Sequence, residues 1–215
     1  MKKNLCLIYL LLTCQLLFSQ SQTVLGKGGL VFHTSLVGTI KYPGLKMGAD
    51  YLVITKNIDK ERKNGSHKLI TKNRYLTSNI GLYYHKGYNA NIFLQVGYLL
   101  ERTNAKGWQR SFEPQIGISR TFIDAPVYKV TDAGQVKKIR AAGDFYLAPA
   151  FSFGFGKDFS VKHPNNPLKL FTKVTVFMNY PYNNFIYARG IIEAGAAYKF
   201  SNLLSHSVKV KNKKR

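Results

Sequence analysis

Apolar side chains alternate strictly with polar or small ones along most of the chain from Asn79 to Phe200, in stretches that short Gly, Asn and Pro turns separate. In the segment Phe145–Phe155, for example, Phe151 and Phe153 share one face, whereas Ser152 lies on the other. Successive side chains of a β-strand point to opposite faces, so each segment has one apolar face and one face of small or polar residues. A soluble sandwich would normally carry charged residues on its solvent face. The pattern therefore predicts a membrane-spanning β-barrel.

Turn sequences such as Asn64-Gly65 and Pro181-Tyr182-Asn183-Asn184 mark the ends of the alternating segments and favour hairpins. We predict eight strands: Leu30–Lys41, Leu45–Asn57, His67–His85, Ala90–Arg102, Arg110–Phe122, Asp144–Gly156, Leu168–Tyr180 and Phe185–Phe200. The predicted fold class is all-β, a membrane-spanning antiparallel up-and-down β-barrel. An even number of strands places both chain ends on the periplasmic side, as is usual for bacterial barrels.

Two prolines, Pro114 and Pro149, fall inside predicted strands. Proline has no N–H to donate to a β-ladder, and lipid offers no water to replace the missing hydrogen bond. We therefore expect a β-bulge or a shifted strand boundary at each of them.

The first residues have the composition of a secretory signal peptide. Lys2 and Lys3 precede an apolar run from Leu5 to Phe18, which is shorter than the roughly 20 apolar residues of a spanning helix. Both cysteines lie in this segment, so the mature chain would form no disulfide and no thiolate metal site. The predicted organisation is a signal peptide over residues 1–20, an outer-membrane β-barrel over residues 21–200 and a basic C-terminal tail over residues 201–215.

The signal peptide, the eight alternating strands and the closing Ala197-Tyr198-Lys199-Phe200 resemble small outer-membrane β-barrel proteins of Gram-negative bacteria. The segments Asn79–Lys86, Phe93–Tyr98 and Phe112–Gly117 resemble one group of such barrels that has no assigned activity. The resemblance implies an outer-membrane location and assembly by the barrel assembly machinery, which reads a terminal aromatic residue. Here the chain continues past Phe200, so either the tail is a periplasmic appendage or the last strand is misplaced.

The chain is strongly basic, with a formal net charge of +22, and loss of Lys2 and Lys3 with the signal peptide would leave about +20. A surface of this charge attracts polyanions. An exported barrel meets the phosphates of lipopolysaccharide before any nucleic acid, so we expect outer-membrane lipids and lipopolysaccharide as partners and no nucleic acid. The protein is expected to be a monomer.

Catalytic and metal-binding patterns are sparse. His33 and Ser35 share one face of the first predicted strand, and Asp50 on the next strand could orient the histidine. The arrangement loosely resembles the His-x-Ser of outer-membrane lipid A deacylases, although that family carries its pair late in the chain and on the membrane-facing side. The remaining histidines lie apart, with no ligand spacing for zinc. We predict no metal and no cofactor, and keep a lipid A deacylase-like enzyme as the alternative function.

Charged side chains on the inward faces form the last candidate feature. Strand parity points Asp50, Glu113, Lys173, Arg189 and Glu193 into the barrel. An eight-stranded barrel is just wide enough for side chains to fill, and charges in so narrow a space must be paired. We expect Arg189 to pair with Glu193 or Glu113 in a plugged interior. The predicted function is structural or recognition-based, through the loops and basic rims, without enzymatic activity; a small channel lined by the same charges is the second alternative.

Overall fold

The computed structural model describes residues 24–39, 42–61, 65, 67–132, 134–182, 185–200 and 206–214. The predicted signal peptide lies outside these residues. The described residues form thirteen strands and one short 3-10 helix, Phe159–Val161. In chain order the strands are β1 Val24–Gly28, β2 Leu30–Thr39, β3 Tyr42–Glu61, β4 His67–His85, β5 Asn89–Asn104, β6 Trp108–Ile123, β7 Val127–Val130, β8 Val136–Ile139, β9 Phe145–Leu147, β10 Ala150–Asp158, β11 Leu168–Tyr182, β12 Phe185–Phe200 and β13 His206–Lys214.

Antiparallel pairing from each strand to its neighbour closes the sheet into an up-and-down barrel. The pairs run β2–β3, β3–β4, β4–β5 and β5–β6, then from β6 to β10, β11 and β12. The ring closes where β12 pairs with β2, from Phe200 opposite Leu30 to Ile192 opposite Gly38. Counting β9 and β10 as one interrupted strand gives eight, so the predicted fold class is confirmed.

The two prolines behave differently from each other. Pro149 lies between β9 and β10, so the predicted strand Asp144–Gly156 is interrupted there. The expected shift of a strand boundary at Pro149 is therefore confirmed. Pro114 stays inside β6 and pairs with Phe151 of β10 without a change of register. The pairing of β6 with β5 lapses between Gly97 and Leu100 and resumes in the same register. The expectation of a bulge or boundary at Pro114 is therefore wrong, and the strand instead loses local pairing on one side.

Strand β3 is the largest departure from the predicted bounds, because it runs from Tyr42 to Glu61 and continues beyond the start of β2. Its extension pairs with β4 on one side and, on the other, with β13 in parallel, from Lys209 opposite Ile54 to Lys214 opposite Asp59. Strand β1 pairs with β13. The last barrel strand ends at Phe200, as predicted, and residues 206–214 form a separate strand rather than continuing the barrel.

The two ends of the barrel differ in their connections. At one end, called here the terminal end, β2 begins and β12 ends, next to the connections 105–107 and 159–167. At the opposite end, called here the loop end, β2 ends and β12 begins, next to the connections 86–88 and 124–144. The longest of these, residues 124–144, contains the β7–β8 hairpin. Within the described part of the chain, no helix is long and apolar enough to cross a membrane.

Candidate functional site

The outer surface of the barrel is apolar across its middle. Large side chains such as Leu36, Ile192 and Phe153 are 70%, 61% and 58% exposed. The intervening positions point inward and are buried, among them Ser152 of β10 and Gln95 of β5. The faces predicted for β5, β6, β10 and β12 from alternation are confirmed. An apolar band outside and a polar filling inside are the arrangement of an outer-membrane β-barrel.

The interior holds ion pairs between side chains of strands that are not adjacent in the sheet. Glu113 is 1% exposed, and its carboxylate accepts hydrogen bonds from Lys173 Nζ at 2.6 Å, Thr77 Oγ1 at 2.9 Å and Asn79 Nδ2 at 3.2 Å. These donors offset the cost of burying the charge, which would otherwise be several kcal/mol. Glu113 and Lys173 thus lie inside, where parity placed them, and contact each other.

Glu193 forms the second pair, with Lys46 Nζ at 2.7 Å, and also accepts a hydrogen bond from Thr175 Oγ1 at 2.8 Å. Lys46 was not among the predicted interior charges. Its position was readable from the sequence, since it lies four residues before Asp50 on the same strand face.

Two further pairs lie near the terminal end. Lys169 Nζ contacts Glu101 at 2.9 Å, with both side chains buried. Asp158, also buried, binds Lys199 Nζ and the Ser160 hydroxyl at the start of the 3-10 helix. The interior therefore contains two groups of ion pairs, one formed by Glu113 and Glu193 with their lysines and one near the terminal end.

Arg189 occupies a different environment from the one predicted. Its guanidinium lies 4.4 Å from the ring centroid of Tyr83 and 5.8 Å from that of Phe177, in a half-buried position toward the loop end. Its expected partners form ion pairs with lysines instead: Glu193 with Lys46, and Glu113 with Lys173. The predicted pairing of Arg189 is therefore corrected: ammonium groups from other strands reach these carboxylates, and the arginine packs over aromatic rings.

His33, Ser35 and Asp50 all point into the barrel and are 5%, 2% and 7% exposed. His33 Nε2 lies 3.4 Å from Asp50 Oδ1. Ser35 Oγ has no hydrogen-bond partner among the described residues, so it is not bonded to His33. A nucleophile must be activated by its base and reached by its substrate. The geometry brings together two members of the triad but does not link Ser35 to them, and all three are enclosed by the barrel wall.

Inside the barrel little empty space remains near this group, whereas an open groove of about 740 Å³ on the outer face includes His33 in its lining, beside Phe32 and Thr34. A cavity of about 20 Å³ lies between His33, Asp50, Lys169 and Lys173. That is about the room of a single water molecule. Among the described residues, no group of three or more His, Cys, Asp or Glu side chains could hold a metal ion.

Basic side chains dominate the β7–β8 hairpin at the loop end. Lys129 of β7 lies directly opposite Lys137 of β8, and Tyr128 lies opposite Lys138. All four side chains are exposed, as is Arg140 just after the hairpin. Like charges directly opposite each other on a β-ladder repel. An anion bound between them would relieve that repulsion.

No known family model matches the chain, and no curated protein matches it. Its structure is similar to the crystal structure of Neisserial surface protein A, with 11% sequence identity and a TM-score of 0.47, over 81% of this chain and 99% of that one. It is also similar to the crystal structure of the beta domain of the Bordetella autotransporter BrkA, with 9% identity and a TM-score of 0.29, over 81% of this chain and 99% of that one. Likenesses this distant say nothing about activity.

Proposed function

We propose that the protein is a monomeric, non-enzymatic outer-membrane barrel that acts through its rims and binds the phosphates of outer-membrane lipids. The filled interior carries this proposal. Buried ion pairs such as Lys46–Glu193 and Lys173–Glu113 occupy the space that a pore or a substrate would need. The surfaces left for recognition are then the loop end and the terminal end.

The proposed orientation follows from the connections. Bacterial barrels have short periplasmic turns and longer extracellular loops. The longest connection, residues 124–144, is at the loop end, opposite both ends of the barrel domain. This supports an extracellular loop end and a periplasmic terminal end. The aromatic residues Tyr198 and Phe200 at the end of β12 would be available to the assembly machinery before the barrel closes.

The proposed lipopolysaccharide contact uses the β7–β8 hairpin. With the loop end outside the cell, the exposed Lys129, Lys137, Lys138 and Arg140 would face the leaflet that carries lipopolysaccharide. Phosphate groups between these cations would remove the repulsion across the hairpin.

Cell fractionation together with gel mobility tests the barrel. The protein should be recovered in outer membranes and should migrate differently before and after boiling, because a closed barrel resists detergent until it is heated. Recovery as a soluble periplasmic protein would refute the proposal.

Binding of the purified barrel to lipopolysaccharide tests the rim. Replacing Lys137 and Lys138 by Gln should weaken binding by about five-fold for each charge removed. Replacing Lys60 and Lys162, exposed lysines at the terminal end, is the matched control and should leave binding unchanged. Equal losses in both double variants would mean that the protein binds only through its net charge.

A further inference from the structure

A second basic cluster lies on the outer face of the barrel at the terminal end, and nothing in the proposed lipopolysaccharide contact uses it. Lys72 of β4 is directly opposite Arg102 of β5, and Arg102 is directly opposite Arg110 of β6. All three side chains are exposed. Side chains in directly opposite positions have Cβ atoms about 5 Å apart. Three cationic side chains therefore form one continuous row around the barrel.

No carboxylate of the same strands can neutralise this row. The acidic residues of β4, β5, β6 and β10 are Glu101, Glu113 and Asp158. Each is buried in the interior and paired there, with Lys169, Lys173 and Lys199 respectively. The outer face of these four strands consequently carries positive charge alone. A bound anion would lower the repulsion within the row.

The row borders a cleft of about 460 Å³, whose lining includes Arg102, Arg110, Trp108 and Phe155. The guanidinium of Arg110 lies 5.7 Å from the ring centroid of Phe155, and Lys157 Nζ lies 4.7 Å from that of Trp108. The cleft thus combines cations with aromatic rings. Tryptophan and basic residues together are typical of the level at which a barrel meets the lipid headgroups.

The apolar band begins next to the cleft, on the side away from the terminal end. Two residues further along the strands, Leu100 is directly opposite Phe112, which is opposite Phe153. The rings of Phe112 and Phe153 pack with centroids 4.8 Å apart. An acyl chain lying along these rings would place its own phosphate beside Arg102 and Arg110. The cleft therefore has the position and the charge to hold a lipid headgroup.

From this arrangement we infer that the cleft binds the phosphate of an anionic phospholipid in the periplasmic leaflet of the outer membrane. The inference rests on the proposed function, which makes the barrel a membrane protein with its terminal end in the periplasm. Charge complementarity favours an anionic headgroup such as phosphatidylglycerol over a zwitterionic one such as phosphatidylcholine. The guanidinium groups of Arg102 and Arg110 suit a phosphate because each can donate two parallel hydrogen bonds to it.

Trp108 is the single tryptophan of the chain, so it can serve as an intrinsic fluorescent probe. Fluorescence of the folded barrel in vesicles therefore reports on this cleft. Brominated phosphatidylglycerol should quench Trp108 more strongly than brominated phosphatidylcholine at equal mole fraction. Replacing Arg102 and Arg110 by Gln should reduce the preference by about five-fold for each charge removed. Replacing Arg102 and Arg110 by Lys should keep most of the preference for phosphatidylglycerol, which separates loss of charge from misfolding.

The matched control is the double variant of Lys137 and Lys138 to Gln at the loop end, which should retain the full preference for phosphatidylglycerol.

Equal quenching by the two lipids in the folded wild type would overturn the inference, and so would an unchanged preference in the Arg102 and Arg110 double variant to Gln. Loss of the preference on adding inorganic phosphate would identify a site for a free anion and overturn the lipid assignment. Stronger quenching by brominated lipid A than by phosphatidylglycerol would overturn the assignment to the periplasmic leaflet. A protein that shows no heat-dependent gel shift would instead refute the membrane barrel itself.

Discussion

Removal of one partner from the Lys46–Glu193 pair is expected to destabilise the barrel strongly. The two side chains are 3% and 2% exposed, and Lys46 Nζ lies 2.7 Å from the carboxylate. At this 2.7 Å distance the attraction is about 6 kcal/mol for an effective dielectric constant of about 20. Most of that attraction offsets the lost hydration of both ions. A single substitution therefore costs the free energy of burying the remaining ion without its partner.

We therefore expect Lys46→Met to lower the free energy of unfolding by ~3–5 kcal/mol, the range for an uncompensated buried charge. Glu193→Gln should cost a similar amount, because Lys46 would then be the stranded ion, although the amide can still accept the hydrogen bond from Thr175. The double variant should cost less than the sum of the two single variants, since neither ion remains. The difference gives the coupling energy of the pair.

Urea unfolding of the barrel in lipid vesicles, followed through Trp108 fluorescence, measures all three variants. The exposed contact between His67 and Asp59 provides the control, because its histidine side chain is 63% exposed. His67→Ala should change stability by at most about 1 kcal/mol. If Lys46→Met is neutral and the wild-type protein conducts ions steadily in planar bilayers, water surrounds the interior charges. The plugged barrel would then be wrong, and the small channel would replace it.

Three further outcomes are expected. His33→Ala and Ser35→Ala should leave the lipid A acylation pattern unchanged in mass spectra of cells producing the protein, and a mass shift that requires Ser35 would establish the hydrolase. Gly190→Arg should cost up to about 2–4 kcal/mol in vesicles, since position 190 faces lipid with open space around it, whereas Gly190→Ala should be neutral. The Tyr84 hydroxyl and the Gly87 amide hold the pKa of the Asp124 carboxyl below its usual value, so residues 124–144 should become more sensitive to protease only as the pH falls below about 4.

The sequence predicts which face of a strand each residue takes, and it does so well here. Alternation has a period of two, so one correctly placed residue fixes the orientation of its whole strand. Glu113, Glu193, Lys173 and Asp50 were all placed inside on this ground, and all are buried. The filled, polar interior of the barrel follows from the same periodicity.

The partners of these residues could not be predicted in the same way. Glu193 of β12 pairs with Lys46 of β3, although β2 lies between the two strands and the residues are 147 positions apart. Which side chains meet across a barrel depends on strand tilt and stagger, and a single strand's alternation carries neither. For the same reason the alternation of β12 placed Arg189 inside but gave no sign that it lies level with Tyr83.

The distribution of acidic residues connects the interior with the rims. Asp50, Glu101, Glu113, Asp158 and Glu193 are buried in the barrel, which is half of the ten acidic residues in the sequence. Four of them meet lysines there, so the interior is close to neutral. The large positive excess of the chain is therefore left to the rims, where few carboxylates remain to balance it. At both rims the missing negative charge has to come from the surroundings, which is why we propose membrane phosphates as the anions bound there.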